Sequence, residues 1–322
     1  MRVTILGAGN WGTVLAIMLA KKVPVTLWTI EKIEDRENKK YLPGHRIPEE
    51  VKITKSLNES IKGVDLLVIA LPSQVVREVA KQISYQEGIL LSVVKGIENH
   101  SLKRVTEILA EEMGVPSERI CVLSGPTIAR EVVKGLPTSC VVASTNEESA
   151  KFVQRVFNST RFRVYTSTDV VGVELGGAFK NIIALAAGVC DGLNLGSNAK
   201  GALLTRGIRE ITRLGVRMGA DSVTFSGLSG MGDLITTAFS EYSRNRWVGE
   251  QIGRGKLLKE VLTQMVEVAE GVPTTLAAVE LAKKYEVSLP ITKEVYEILY
   301  NNKSPDAGMY TLMTREPKPE GI

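Results

Sequence analysis

The chain has 322 residues, of which 44% are apolar and 24% are charged, and its formal net charge is +4. The length is sufficient for a large core and favours two domains over one. The small net charge excludes the dense basic surface of a nucleic-acid binder, so we expect no nucleic-acid partner. A local basic cluster for an anionic metabolite is compatible with this charge.

Cysteine and histidine are too sparse for a disulfide framework or a protein-built metal site. The three cysteines stand singly in apolar runs, which is typical of a chain in a reducing cytoplasm. The two histidines, His45 and His100, lie in no ligand cluster, so we expect no metal.

The chain opens directly into a strand without a secretory leader, and no uninterrupted apolar run has the length of a bilayer span. We therefore expect a cytoplasmic protein without membrane insertion.

The first half of the chain alternates short β-branched runs with helical periods. Five apolar runs of the buried parallel type lie at residues 3–6, 25–28, 66–70, 89–94 and 120–123. Helical stretches between them run from Thr13 to Lys21, Gln74 to Ile83 and Leu102 to Glu112. Two further strands, at 139–144 and 161–166, flank a helical stretch at 147–157. This order predicts an α/β domain with a Rossmann-type, doubly wound parallel sheet.

The pattern changes after about Asp169. From there to the end the periodicity is almost entirely helical, with glycine-rich breaks at 192–197 and 226–232. We therefore predict two domains, an α/β domain at 1–168 and an all-helical domain at 169–322.

A glycine-rich turn follows the first predicted strand. Gly7, Gly9 and Gly12 form a G-x-G-x-x-G pattern between a strand and a helix, which is the context of the dinucleotide fingerprint. The first glycine makes the turn, the second admits a pyrophosphate, and the third packs the helix on the strand. A structural turn in another α/β fold is the alternative, and proteins that bind FAD or S-adenosylmethionine share the design.

An apolar helical segment contains a single lysine, Lys180. The residues one helical turn away from it are Gly176, Gly177, Ile183 and Ala184. Because two of these lack side chains, we expect open space on one flank of the lysine. A charged residue among apolar neighbours either snorkels to water or marks a site, and from this segment alone snorkelling is favoured.

Other polar residues occupy positions where ligands bind in such folds. Those that follow the fourth and fifth predicted strands, at the carboxyl edge of the sheet, are Lys95, Gly125, Thr127 and Ala129. A later segment contributes Asp233 and the cluster Ser243, Arg244, Asn245 and Arg246. Each segment has an alternative interpretation as a cap, a turn or a solvated face. Together with a dinucleotide site they favour a pocket for an anionic substrate.

Several motifs, taken together, identify a family. The longest is "GAFKNIIALAAGVCDGLNLGSN" at 177–198, and others are "GAGNWGT", "YLPG", "VKGIE", "LSGP", "LLTRG", "GMGDL", "SRNR", "EGVPT" and "LPITKEVYEILY". On these motifs the chain resembles the bacterial type of NAD(P)-dependent glycerol-3-phosphate dehydrogenase over almost its whole length. The resemblance implies a helical domain similar to the C-terminal domain of 6-phosphogluconate dehydrogenase.

The resemblance also implies an activity, namely reversible hydride transfer between NAD(P)H and dihydroxyacetone phosphate. The product, sn-glycerol 3-phosphate, would supply the backbone of phospholipids. Residues 1–168 would bind the cofactor, 169–322 would bind the substrate and carry catalysis, and the protein would be a homodimer. Lys180 would donate a proton to the carbonyl oxygen and act as the base in reverse.

Matching the motifs residue by residue extends the site. The resemblance implies a substrate site lined by Lys95, Gly125, Thr127, Lys180, Asp233, Ser243, Arg244 and Asn245. It implies a cofactor site at Gly7, Gly9, Asn10, Trp11, Gly12, Lys95, Ala129, Arg244, Val268 and Glu270. Thr127 replaces the usual serine and keeps its hydroxyl.

The choice between NADH and NADPH receives opposing signals. Trp28 ends the second strand, but Ile30 stands where the family often has a basic residue. Glu31 would accept from a free 2′-hydroxyl and repel a 2′-phosphate. Four basic residues downstream would attract the phosphate, namely Lys32, Arg36, Lys39 and Lys40. We therefore expect the protein to use both cofactors.

Two alternatives stay open on the sequence. One is a related two-domain dehydrogenase of the β-hydroxyacid or 6-phosphogluconate type, which the cluster at 243–246 and the Lys180–Asn181 pair disfavour. The other is a protein that senses NAD(P) without turnover, which the presence of Lys180 and Asp233 disfavours.

Overall fold

Eight strands form one sheet in the computed structural model, which describes residues 1–84, 87–317 and 319–320. They are β1 (Val3–Leu6), β2 (Val25–Trp28), β3 (Val51–Thr54), β4 (Leu66–Ile69), β5 (Ile89–Ser92), β6 (Ile120–Ser124), β7 (Thr138–Ala143) and β8 (Phe162–Ser167). Their order is β3-β2-β1-β4-β5-β6-β7-β8, and only the β6–β7 pair is antiparallel. The carboxyl ends of β1, β4, β5 and β6 therefore meet at one edge, where ligands bind in such sheets.

Helices cover this sheet, and together they confirm the predicted doubly wound fold. They are α1 (Asn10–Leu19), α2 (Leu57–Ser60), α3 (Val76–Ala80), α4 (Val105–Met113), α5 (Ala129–Val133) and α6 (Glu147–Phe157). A 3₁₀ turn, Ser73–Val75, leads into α3. We call the part from β1 to β8 the sheet domain.

The sequence pattern does not predict β3, α2 or α5. In β3 the alternation of Val51 and Ile53 with Lys52 and Thr54 covers only four residues at the edge of the sheet, too few for a clear period. The α4 helix begins three residues later than the periodicity suggests. Leu102 has a left-handed φ of 60°, so the helical run starts only after it.

The helical part of the chain is confirmed from Val170 onward, and we call it the helical domain. Its helices are α7 (Val170–Gly192), α8 (Gly196–Arg217), α9 (Asp233–Phe239), α10 (Arg244–Gly253), α11 (Leu258–Thr263), α12 (Gly271–Lys284), α13 (Pro290–Tyr300) and α14 (Pro305–Met313). The first predicted glycine break separates α7 from α8. The second becomes a single π-helical turn, Leu228–Gly232, that leads into α9.

The α7 helix is the centre of the helical domain. Every residue from Gly172 to Gly188 is buried, and α8, α9, α10 and α12 pack around it. Contrary to the expectation from the sequence, its length and composition would suit a membrane span. However, 89% of its most apolar window is buried inside the protein, so it serves as the core helix.

Glycines bring α7 and α10 into backbone contact. A β-carbon on Gly188 would lie 1.9 Å from the carbonyl oxygen of Arg246, and one on Gly249 would lie 1.9 Å from that of Leu185. Gly192 and Gly253 make similar approaches. Since no side chain separates the two helices, the distance from Lys180 on α7 to the start of α10 is fixed by the main chain.

Gly249→Ala should destabilise the protein by about 2 kcal/mol or more, because its methyl group has no space against the Leu185 carbonyl. Gly201→Ala is the matched control, since a β-carbon on this exposed glycine of α8 meets nothing within 4 Å. The control should be neutral or stabilising by up to about 1 kcal/mol. Urea denaturation of the three proteins measures both effects, and equal midpoints would contradict the helix contact.

Candidate functional site

The glycine-rich turn after β1 has the geometry that its sequence predicts. Gly7 has a φ of 110°, and a β-carbon there would lie 2.4 Å from the carbonyl oxygen of Ala70. A β-carbon on Gly12 would lie 1.9 Å from the Gly7 carbonyl oxygen, whereas one on Gly9 meets no atom of the described residues within 4 Å. The turn is thus closed at its first and third glycines and open at the second, as a pyrophosphate requires.

The start of α1 also fits a bound dinucleotide. Gly9 is the N-cap and no side chain of the described residues caps the helix, so its first N–H groups are available to an anion. The buried Oδ1 atom of Asn10 has no hydrogen-bond partner among the described residues. The ring of Trp11, the second residue of α1, lies 6.5 Å from the Phe162 ring, centroid to centroid. These features fit the predicted cofactor site. A dinucleotide bound there would supply the nicotinamide for hydride transfer.

Asn38, to which no sequence motif points, supports the same turn. Its buried Nδ2 donates to the carbonyl oxygen of Ala8 at 2.7 Å and to Oγ1 of Thr13 at 2.8 Å. Asn38 opens the loop 38–48, and only the structure shows that it is buried. A buried asparagine side chain must find hydrogen-bond partners, and here the turn provides them.

Two lysines and one aspartate meet at the carboxyl edge of the sheet. Lys180 Nζ lies 3.0 Å from Oδ1 of Asp233, and Lys95 Nζ lies 2.6 Å from Oδ2 of the same carboxylate. Lys180 also donates to Thr237, which lies one turn after Asp233 on α9. We call Lys95, Lys180 and Asp233 the charged cluster. It joins the sheet domain to the helical domain.

The snorkelling interpretation of Lys180 is therefore wrong. Its side chain is 7% exposed, and its ammonium group is held inside the protein by Asp233. The expected open flank is wrong as well. A β-carbon on Gly176 would lie 2.8 Å from the carbonyl oxygen of Ser229, and one on Gly177 would lie 2.4 Å from Oγ of Ser124. Because Gly176 and Gly177 lack side chains, the segments around Ser229 and Ser124 pack directly against α7.

Burial and charge set the protonation of the cluster. The pKa of Lys180 is lowered to about 8, chiefly by desolvation; the Asp233 carboxylate opposes this shift and the ammonium of Lys95 adds to it. Burial disfavours the charged form of Asp233, but the ammonium groups of Lys180 and Lys95 hold its pKa below the usual range. Lys180 can therefore exchange a proton near neutral pH while Asp233 stays ionised.

Lys95 connects the cluster to the segment after β6. Its ammonium donates to the carbonyl oxygen of Gly125 at 2.8 Å and to Oγ1 of Thr127 at 3.3 Å. Gly125 has a φ of 139°, a backbone conformation that favours glycine. The structure thus brings these three predicted residues together, and Ala129 begins α5 directly behind them.

Asn181 and Asn245 form a buried amide pair next to the cluster. Asn181 Nδ2 donates to the carbonyl oxygen of Lys95 at 3.0 Å, and Asn245 Nδ2 donates to Asn181 Oδ1 at 2.8 Å. Oδ1 of Asn245 accepts from the N–H of Gly271 at 2.9 Å. The start of α10 is thereby fixed to α7, and Ser243 caps it by accepting from the N–H of Arg246 at 3.2 Å.

Arg244 lies at the mouth of this region. Its Nη1 donates to the carbonyl oxygen of Val268 at 2.9 Å and lies 3.1 Å from Oε2 of Glu267. The side chain is 46% exposed, so part of its guanidinium faces solvent. Arg244 and Val268 are thus in contact, and Glu270 follows Val268 by two residues.

The loop after β2 shows which basic residue approaches Glu31. Lys40 Nζ lies 2.7 Å from Oε1 of Glu31, and the Tyr41 hydroxyl donates to the same atom at 2.9 Å. The other three candidates have partners elsewhere: Lys32 pairs with Glu34, Lys39 pairs with Asp35, and Arg36 donates to main-chain carbonyls of residues 47, 48 and 51. Trp28 is buried and donates to the Lys55 carbonyl at 3.1 Å.

Comparison with known proteins agrees with this geometry. Residues 2–150 match the family described as NAD-dependent glycerol-3-phosphate dehydrogenase N-terminus, and residues 169–310 match the corresponding C-terminus family. Glycerol-3-phosphate dehydrogenase (NAD(P)+) of Prosthecochloris aestuarii is 47% identical over 99% of this chain and 100% of its own. The enzyme of the same name from a Thermoanaerobacter species is 47% identical over 99% of each chain.

Among solved structures, the glycerol-3-phosphate dehydrogenase of Coxiella burnetii superimposes with a TM-score of 0.93. It is 37% identical and covers 98% of this chain and 99% of its own. The similarity thus extends over both domains and includes the segments that form the charged cluster. The chain belongs to the NAD-dependent glycerol-3-phosphate dehydrogenase family.

Proposed function

We propose that the chain catalyses the reversible reduction of dihydroxyacetone phosphate to sn-glycerol 3-phosphate with NADH or NADPH. The observation that carries the proposal is the buried Lys180 ammonium beside Asp233, at the edge of the sheet that also carries the glycine-rich turn. A proton donor with a pKa of about 8 at that place suits a carbonyl that receives a hydride.

In the proposed reaction a nicotinamide cofactor, when bound at the glycine-rich turn, would supply the hydride that C2 of the ketone receives. Lys180 donates a proton from Nζ to the carbonyl oxygen as that oxygen becomes an alkoxide, and it withdraws the proton in reverse. Asp233 holds the Lys180 ammonium in place and Lys95 adds positive charge near the developing oxyanion. The remaining substrate residues are Gly125, Thr127, Ser243, Arg244 and Asn245.

Arg244 is the proposed partner of the substrate phosphate. Its planar guanidinium can bind two phosphate oxygens at once, and the exposed part of the side chain is available for that contact. The proposed cofactor residues are Gly7, Gly9, Asn10, Trp11, Gly12, Lys95, Ala129, Arg244, Val268 and Glu270. Those of the sheet domain lie near its carboxyl edge, Arg244 begins α10, and Val268 and Glu270 lie directly before α12.

We further propose a cytoplasmic homodimer that supplies the glycerol backbone of phospholipids, with the domain boundary between residues 168 and 169. Consumption of NADH and NADPH by the purified protein tests the reaction itself. Dihydroxyacetone phosphate should be turned over, whereas unphosphorylated dihydroxyacetone and glyceraldehyde 3-phosphate should serve poorly. Turnover of another ketone in place of dihydroxyacetone phosphate would overturn the proposal.

Lys180→Met should lower kcat by about 10²–10⁴-fold, because the proton donor is lost while most of the side-chain volume remains. Binding of NADH, followed by its fluorescence, should change little. Lys200→Met is the matched control, since Lys200 is also buried and its Nζ lies 2.8 Å from Oδ2 of Asp191 outside the charged cluster. If Lys180→Met keeps most of the wild-type kcat, Lys180 is not the acid. The Lys200→Met control should keep its kcat.

The pH dependence should differ in sign between the two directions. Reduction needs the protonated Lys180, so kcat/KM for dihydroxyacetone phosphate should fall as pH rises through about 8. Oxidation of sn-glycerol 3-phosphate needs the neutral amine and should rise over the same range. Initial rates from pH 6 to 10 (roughly two units either side of the Lys180 pKa) measure both limbs. Limbs of the same sign in both directions would contradict the assignment.

Wild-type kcat/KM values for NADH and NADPH should lie within roughly thirtyfold of each other, because Lys40 compensates Glu31. Glu31→Gln should shift the ratio towards NADPH, and Lys40→Gln should shift it towards NADH. Both shifts should be larger at low ionic strength. Lys39→Gln is the control, since Lys39 pairs with Asp35 and should leave the ratio unchanged. A ratio indifferent to Glu31 would place recognition of the 2′-position elsewhere.

A further inference from the structure

Two glutamates of the helical domain bind helix starts of the sheet domain in the same way. Glu270 accepts from the N–H of Ser73 at 2.8 Å and from its Oγ at 2.5 Å. Glu174 accepts from the N–H of Thr106 at 2.9 Å and from its Oγ1 at 2.7 Å. In each case one carboxylate engages both donors of a single residue, at the start of a 3₁₀ turn or of α4.

The surroundings of the two contacts differ. Glu174 is also bound by Arg104, whose Nη1 lies 3.0 Å from Oε2, and it lies within α7. Glu270 instead lies two residues after Val268, at the end of the loop that contacts Arg244. In that contact the carbonyl oxygen of Val268 accepts from the Arg244 guanidinium. The position of Glu270 therefore influences where the Arg244 side chain is held.

Ser73 is itself fixed in one orientation. It is fully buried, and its Oγ accepts from Nε2 of Gln74 at 3.0 Å, so its own hydroxyl proton is directed to Glu270. Gln74 in turn donates to the carbonyl oxygen of Ile97 at 2.7 Å. A β-carbon on Gly96 would lie 2.5 Å from Oγ of Ser73 and 2.7 Å from Oε2 of Glu270. The contact is thus packed directly against the segment that carries Lys95.

We propose that Ser73 is a positioning residue for the substrate phosphate. Through its hydroxyl it fixes Glu270, and through Glu270 it fixes the Val268 carbonyl that orients Arg244. The proposal rests on the proposed function, in which Arg244 binds the phosphate of dihydroxyacetone phosphate. It adds a residue of the sheet domain that touches neither the substrate nor the reacting atoms.

Ser73→Ala tests this inference, because it removes the hydroxyl bond and leaves the N–H bond. At saturating NADH, KM for dihydroxyacetone phosphate should rise about tenfold while kcat changes less than about threefold. Thr106→Val is the matched control, since it removes the corresponding hydroxyl from the Glu174 contact. The control should lower the thermal midpoint at least as much as Ser73→Ala does, and KM should stay within about twofold.

The double variant with Arg244→Ala distinguishes the inference from the proposed function. If Ser73 acts through Arg244, Ser73→Ala should raise KM in the wild type and have almost no effect in the Arg244→Ala background. An unchanged KM in Arg244→Ala alone would overturn the proposed phosphate partner. Two outcomes would overturn the role of Ser73 when Arg244→Ala raises KM. In one, Ser73→Ala leaves KM unchanged; in the other, the effects of the two substitutions on KM are fully additive.

Glu270→Gln provides a second route to the same test should the alanine variant fail to fold. It keeps the side-chain volume and weakens the acceptor, so its effect on KM should also vanish in the Arg244→Ala background. A persisting effect on KM for dihydroxyacetone phosphate at saturating NADH in that background would show that Glu270 acts on substrate binding independently of Arg244, and it would overturn the inference.

Discussion

The buried contact of Asp233 with Lys95 and Lys180 is the interaction on which the site depends. An isolated ammonium among the apolar residues of α7 would be unstable, and the Asp233 carboxylate makes its burial possible. Since two ammonium groups share one carboxylate, the cluster keeps an excess of positive charge. That excess favours an anionic substrate and an oxyanion. Burial is the main cause that lowers the pKa of Lys180 to about 8, and Lys95 adds to the shift while Asp233 opposes it.

This electrostatic arrangement requires a rigid frame, which the main chain provides. The glycines between α7 and α10 leave no side chain that could adjust, so the start of α10 stays at a fixed distance from Lys180. The Asn181–Asn245 pair adds direct hydrogen bonds across the same junction. The proposed proton donor and the proposed phosphate partner thus lie on two helices that are in direct main-chain contact.

The sheet domain and the helical domain are joined by polar rather than purely apolar contacts. Lys95 reaches Asp233, and two glutamates of the helical domain bind the helix starts at Ser73 and Thr106. Such contacts depend on geometry more strongly than apolar packing does, because a displaced carboxylate loses its donors. The proposed cofactor edge of one domain and the proposed substrate residues of the other are therefore held in a defined relation.

The sequence by itself determined the features that depend on local pattern. Short apolar runs specified most strands, the spacing of Gly7, Gly9 and Gly12 specified the turn, and the family motifs selected Lys180. Only the tertiary structure decided that Lys180 is buried, that Ser124 and Ser229 fill its glycine flank, and that Lys40 rather than Arg36 approaches Glu31. Periodicity records which face of an element is apolar. The partner of a charged side chain, such as Glu270 for Ser73, is far away in the chain and is chosen by packing.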